Sequence, residues 1–131
     1  MFWVLNTHFD HIGKTARLES AKLITKKIKE LNTKNYPVIL SGDFNSKPDE
    51  PPAQYMTSVM QNSRSISKQV YGGPDTWNAF KFNEKPDGCI DYVFVNNNKK
   101  ISVPKFATLT DSYDIDRKST RLNSSHLVLS R

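Results

Sequence analysis

Several scarcities in this sequence decide its class. There is one cysteine, Cys89, so no disulfide framework can form and thiol usage says nothing about compartment. No apolar run comes near the roughly 20 residues that a bilayer-spanning helix needs. No basic stretch and apolar core with a cleavage site stands at the start, so nothing resembles a signal peptide. No segment repeats. Apolar residues make up 37% of the chain and charged residues 24%, which excludes wholesale disorder. What remains is 131 residues, enough for a single domain with one real core. The net charge of +6 suggests an anionic partner, but the charge is unevenly placed. Residues 1–115 carry 15 Lys+Arg against 12 Asp+Glu, while Arg117, Lys118, Arg121 and Arg131 against Asp116 supply half the excess from the end of the chain.

The chain opens inside an apolar run, Phe2-Trp3-Val4-Leu5, which reads as a buried strand ending near Asn6-Thr7. A start within a core strand suggests a truncated chain. The spacing of Ala21, Ile24, Ile28 and Leu31 predicts a helix over about Thr15–Leu31, with Lys22, Lys26 and Lys29 on its solvated side. Val38-Ile39-Leu40 is a continuous apolar run, the pattern of an interior strand covered on both faces. Pro48, Pro51 and Pro52 then mark a loop, followed by a short helix from about Ala53 to Gln61. Residues 62–85 are polar and turn-rich, broken most clearly at Gly72-Gly73-Pro74. Ile90-Asp91-Tyr92-Val93-Phe94-Val95 and the stretch Ile101–Leu109 read as a hairpin, with Pro104 pushing its second strand to an edge. Strand, helix, strand and hairpin predict an α/β domain with a mixed sheet.

Polar clusters end or interrupt three of these strands. Asn6-Thr7-His8-Phe9-Asp10-His11 follows the first, Gly42-Asp43-Phe44-Asn45 follows the second, and Asp91 sits within the third. The crevice at strand ends is where open α/β sheets bind ligands. His8 can donate to an anionic oxygen or shuttle a proton, and Asp43 can orient a water or accept its proton. Asn45 adds a donor and an acceptor. Carboxylate and amide oxygens are the ligands a hard cation such as Mg²⁺ prefers. Each residue also has a plain structural reading: Asp43 as a turn former, Asn45 in an Asx-turn, His8 as a satisfied half-buried histidine, Asp91 as a solvated edge residue. Four such residues together at strand ends favour a site for phosphate-ester hydrolysis.

In order and spacing, the Asn6–His11 cluster, Ser41-Gly42-Asp43-Phe44-Asn45-Ser46, Thr76-Trp77-Asn78-Ala79-Phe80 and the Ile90–Val95 strand resemble the C-terminal half of the endonuclease/exonuclease/phosphatase (DNase I-like) superfamily. The resemblance covers residues 2 to about 114. It implies part of a four-layered α/β sandwich and a metal-dependent phosphoester hydrolase, a phosphodiesterase, nuclease or phosphatase using Mg²⁺ or Mn²⁺. It implies that His8 contacts the phosphate, that Asp43 orients or deprotonates the attacking water, and that Asn45 holds phosphate or metal beside it, with Asp43 and Asn45 as metal-binding residues. Asp91 would fix a second histidine, and Trp77 and Asn78 would lie near the substrate. The implied partner is a phosphate ester, nucleic acid among the candidates, and the parent protein would be a monomer.

Two departures follow from the same comparison. The family's N-terminal half, with an Asn and a metal-binding Glu, has no counterpart here, so the chain alone is expected to be inactive. Where the family closes on Ser-Asp-His, this chain has Ser124-Ser125-His126 after a longer spacing, and His126 reads as coincidence. Residues 1–115 therefore form the domain portion, and residues 116–131 read as a disordered or foreign tail. Two rival readings remain. His8-Phe9-Asp10-His11-Ile12-Gly13 resembles part of the metallo-β-lactamase motif, but Asn6 stands where that motif has histidine and the ligand count fails. A non-catalytic phosphate- or nucleic-acid-binding module could use the lysine-bearing helix with Trp77, Phe80 and Tyr92 as stacking rings.

Overall fold

The computed structural model describes residues 1–81 and 84–109 in full, and beyond them the backbone of three short strands, 112–115, 118–121 and 125–128. The elements run β1 (Trp3–His8), α1 (Lys14–Leu31), β2 (Val38–Asp43), α2 (Pro51–Val59), β3 (Gln61–Asn62), α3 (Ser63–Ile66), β4 (Gln69–Tyr71), β5 (Asp91–Val95), β6 (Lys105–Thr108), β7 (Ser112–Ile115), β8 (Lys118–Arg121) and β9 (Ser125–Val128). The main sheet has the order β1-β2-β5-β3. β1 and β2 are parallel, which demands a crossover, and α1 supplies it. β5 pairs antiparallel with β2 on one side and β3 on the other. A second sheet joins β4, β6 and β9, and β7 pairs with β8.

The helices start where their sequences allow. Pro51 and Pro52 occupy the first turn of α2, where a missing N–H costs nothing. Ahead of α1, the Asp10 carboxylate accepts the N–H groups of Ile12 and Gly13 at 3.0 and 3.1 Å. Those two bonds hold the Asp10 carboxyl below the usual carboxylate range. Both helices lie on one face of the main sheet, closing a core of Phe9, Ala21, Val38, Leu40, Phe44, Ala53, Met56, Met60, Tyr92 and Phe94. Val93 and Val95, on the opposite face of β5, are buried too, and Val93 shares a small cavity with Phe106 of β6. β5 is thus covered on both faces, whereas β2, the run expected to be so, buries Val38 and Leu40 on one face and leaves Ile39 half-buried on the other. The stripe on α1 differs at its ends. Arg17, one turn before Ala21, is buried, whereas Leu31 is 62% exposed on the last residue of the helix.

The expected β5–β6 hairpin does not form. Both edges of β5 are already taken, by β2 and β3. Asn96 then ties the chain to the head of β2, its Oδ1 accepting the Val38 N–H at 2.8 Å and its Nδ2 donating to the Tyr36 carbonyl at 3.1 Å. β6 pairs instead with β4, and Pro104, unable to donate, accepts the Gln69 N–H at 3.2 Å. The polar stretch read as loop supplies β3, α3 and β4. The side chains of residues 116–131 lie outside the described residues, and so do the tail reading and the role of His126. Their described backbone includes β9, where His126 stands opposite Ala107.

Four rings bind the three central strands. Phe44 meets Phe9, Tyr92 and Phe94 edge-on at 4.8, 5.5 and 5.3 Å, and Tyr92 stacks on Phe94 at 5.4 Å. The buried Tyr92 hydroxyl lies 2.8 Å from the Ser46 carbonyl and 3.1 Å from that of Cys89, donating into that pair, and burial pushes its pKa up. Tyr92→Phe would strand the Ser46 carbonyl without its donor. The expected loss is about 1–3 kcal/mol, read as a lower urea midpoint at unchanged slope.

Candidate active site

His8, Asp43 and Asp91 form one row across three strands. In the ladder His8 is opposite Asp43 and Asp43 is opposite Asp91. Each is followed in sequence by a ring of the aromatic cluster, Phe9, Phe44 and Tyr92. Successive side chains of an extended segment point to opposite sides, so seating each ring in the core turns the preceding polar group away from it. Local sequence thus builds the row by alternation.

His8 Nε2 lies 3.5 Å from Asp43 Oδ2, with the imidazole 73% exposed and the carboxylate 29% exposed. Asp43 Oδ1 accepts the Asn45 N–H at 2.8 Å, so its turn-forming role and its place in the row coexist. Asn45 sits at φ 45°, and its Nδ2 donates to the Phe9 carbonyl at 2.8 Å. That bond ties the loop after β2 to the end of β1. Burial pushes the Asp91 carboxyl above the ordinary carboxylate value; a hydrogen bond with Thr76 opposes the shift, the Asp43 charge adds to it, and His8 reduces it. An exposed imidazole beside a carboxylate offers a donor for an anion and an acceptor for a water proton at the same place.

Two supporting residues were given no role in the sequence reading. Thr76, itself buried, accepts the N–H groups of Ile90 and Asp91 on Oγ1 at 3.1 and 3.2 Å, fixing the start of β5. Arg17 donates from Nη1 to the Asp10 carbonyl at 3.2 Å and approaches Glu50 at 3.8 Å, bridging the loop after β1 to the head of α2. A charge on the apolar stripe of α1 is the one sign that could have exposed it. Behind Asp91 a cavity of about 20 Å³, the space of one water, is lined by Asn62, Arg64, Thr76 and Cys89 among others. Cys89 donates from Sγ to the Asp91 carbonyl at 3.5 Å, and burial pushes its thiol pKa up.

The other expected site residues make their contacts inside the loop leading to β5. Trp77 packs edge-on against Phe80 at 4.8 Å, and the buried Asn78 donates to the Lys81 carbonyl at 3.1 Å. For a cation, Asp43, Asn45 and Asp91 offer the hard oxygens that Mg²⁺ or Mn²⁺ favours. Among the described residues, however, no three His, Cys, Asp or Glu side chains converge into a metal-holding group. Asp43 and Asn45 therefore supply only part of a metal donor set among the described residues.

No curated protein matches the chain. Solved structures do. The mannosyl-6-phosphatase of Bacteroides thetaiotaomicron is 37% identical, with a TM-score of 0.78, over 93% of this chain and 47% of that one. A functionally unknown conserved protein of Enterococcus faecalis is 29% identical at a TM-score of 0.72, over 95% of this chain and 46% of that one. The beta toxin of Staphylococcus aureus, a mutant with bound magnesium ions, shares the fold at 17% identity and a TM-score of 0.62, over 94% of this chain and 47% of that one. The chain thus spans about half the length of the structures it matches, and its fold is the matching part of a DNase I-like α/β sandwich. The family model for Endonuclease/Exonuclease/phosphatase aligns with residues 3–110, a span that holds the whole row from His8 to Asp91, and the chain belongs to that family.

Proposed function

We propose that this chain carries one wall of a phosphoester hydrolase active site. The observation that supports it is the alignment of His8, Asp43 and Asp91 in one register row at the strand ends. In this reading Asp43 Oδ2 takes a proton from the attacking water while Oδ1 stays engaged with Asn45. His8, 3.5 Å away, donates to a phosphoryl oxygen as charge develops there. Asn45, its amide nitrogen committed to the Phe9 carbonyl, has its Oδ1 to offer to substrate or cation. Asp91, held at its backbone by Thr76, orients a further donor opposite Asp43. A divalent cation, Mg²⁺ or Mn²⁺, belongs to the reading only together with donors beyond the described residues, and in this reading the chain alone does not turn over substrate. A sugar phosphate is the first substrate to test, since a relative 37% identical is a mannosyl-6-phosphatase.

The test compares the chain alone with a chimera in which it replaces the matching half of the Bacteroides thetaiotaomicron enzyme. Both are assayed on p-nitrophenyl phosphate and a hexose phosphate, with Mg²⁺ and with EDTA. The chimera is expected to turn over substrate with Mg²⁺ and to stop in EDTA, while the chain alone stays silent. A folded chimera that binds phosphate without hydrolysing it would favour a non-catalytic binding module. Turnover by the chain alone would overturn the need for outside donors.

A further inference from the structure

α1 carries a guanidinium inside the protein. The Arg17 side chain is 6% exposed, and its Nε has no hydrogen-bond partner. A buried cation is tolerated where acceptors and a counter-charge are held against it, and losing one of them is strongly destabilising. For Arg17 they come from two different loops. Nη1 donates to the Asp10 carbonyl at 3.2 Å, in the loop between β1 and α1. Nη2 faces Glu50 Oε1 at 3.8 Å, at the end of the loop between β2 and α2.

These two contacts close a ring that runs through the candidate site. The other carboxylate oxygen of Glu50, Oε2, accepts the Lys47 N–H at 2.8 Å. Asn45, two residues before Lys47, donates from Nδ2 to the Phe9 carbonyl at 2.8 Å and from its N–H to Asp43 Oδ1 at 2.8 Å. Phe9 is joined in sequence to both His8 and Asp10. The circuit of Arg17, Glu50, Lys47, Asn45, Phe9 and Asp10 thus holds His8 by one peptide bond and Asp43 by one hydrogen bond. The sheet itself stops here. His8 and Asp43 are the last register pair of β1 and β2, followed by one backbone bond, Phe9 N–H to the Asp43 carbonyl at 2.9 Å. Beyond that bond, side chains tie the two loops together.

We propose that Arg17 is a positioning residue for the reaction: its guanidinium clamps the loops after β1 and β2 and so fixes the 3.5 Å approach of His8 Nε2 to Asp43 Oδ2. The inference rests on the hydrolase reading above and extends it to a residue that acts only through others. The planar fork matters as well as the charge. Two nitrogens of one rigid plane serve two loops, whereas a lysine ammonium is a single point on a flexible stem. Misplacing reacting groups by about 1 Å can cost about a hundredfold in rate.

Arg17→Lys and Arg17→Met are compared with Ile24→Ala, which removes core packing about two turns further along α1. In the full chain, amide hydrogen exchange is followed by NMR. The Asn45 and Lys47 N–H groups are expected to exchange at least about tenfold faster in the Arg17 variants, while the β5 ladder keeps its protection. Ile24→Ala should leave the ratio of loop to β5 exchange as in the wild type. In the chimera, Arg17→Lys should lower kcat by about a hundredfold and change KM by less than about threefold, in protein shown by circular dichroism to be folded at the assay temperature. Ile24→Ala should keep kcat. Glu50→Gln keeps an oxygen for the Lys47 N–H but removes the charge facing Arg17, so it repeats the test from the other loop and decides it should the Arg17 variants not fold. Its kcat should fall by about tenfold or more. Loop amides that exchange no faster, or a β5 ladder that loosens by the same factor, would make Arg17 ordinary packing and overturn the proposal. A folded Arg17→Lys or Glu50→Gln chimera with wild-type kcat would overturn it while the hydrolase reading stands. A wild-type chimera without turnover ends the hydrolase reading, and the inference with it.

Discussion

Gly42→Ala is expected to destabilise the chain by more than about 4 kcal/mol, beyond the range of ordinary point substitutions. Gly42 has φ +152°, and a Cβ built there would stand 1.9 Å from the Thr7 carbonyl oxygen. That oxygen belongs to the backbone of β1, directly opposite Gly42 in the parallel ladder, so no side-chain rotation can relieve the clash. The strands must part between Thr7 and Gly42, one residue before His8 and Asp43. The same substitution at Gly73, where a Cβ would meet nothing within 4 Å, should change stability by less than about 0.5 kcal/mol. Urea unfolding of the two variants measures the contrast. Equal midpoints would mean that β1 and β2 are not paired as described. Gly42, met in the sequence only as the start of the polar cluster after the second strand, is required for close approach to the neighbouring strand.

That contrast is typical of what the sequence did and did not disclose. The three apolar runs that became β1, β2 and β5 were legible because their composition is extreme and their polar ends abrupt. The row of His8, Asp43 and Asp91 was legible for the same reason, since each is a polar residue on or beside an apolar run. Pairing was not legible. Residues 90–109 look like a hairpin locally, but β5 spends both edges on β2 and β3, whose residues lie far back in sequence, Ile39 opposite Val95 and Gln61 opposite the same Val95. Arg17 was hidden because helical periodicity rewards apolar residues and passes over a buried guanidinium whose partners lie on two other loops. The bond from Asn78 to the Lys81 carbonyl was hidden because an amide near a site and an amide closing a turn have the same sequence.

In the active chimera, Asp43→Asn is expected to lower kcat by about a thousandfold with little change in stability, because general-base catalysis is commonly worth about 10²–10⁴ in rate. The substitution is chosen to separate charge from shape. An asparagine at this position keeps an oxygen to accept the Asn45 N–H now bound at 2.8 Å, so the turn after β2 and the seat of Phe44 persist. What disappears is the second oxygen as a proton acceptor and the negative charge 3.5 Å from His8 Nε2. Asp43→Ala removes both the charge and the turn bond, so it should lose activity at least as fully and also stability, by about 1 kcal/mol for the missing hydrogen bond. The order of the two variants in stability, set beside their shared loss of turnover, tests the assignment. If Asp43→Asn kept kcat and lost only substrate affinity, Asp43 would be holding the phosphate or its counter-ion rather than the water. If it kept both, Asp43 would be structural, and the proton would have to leave the water by way of His8.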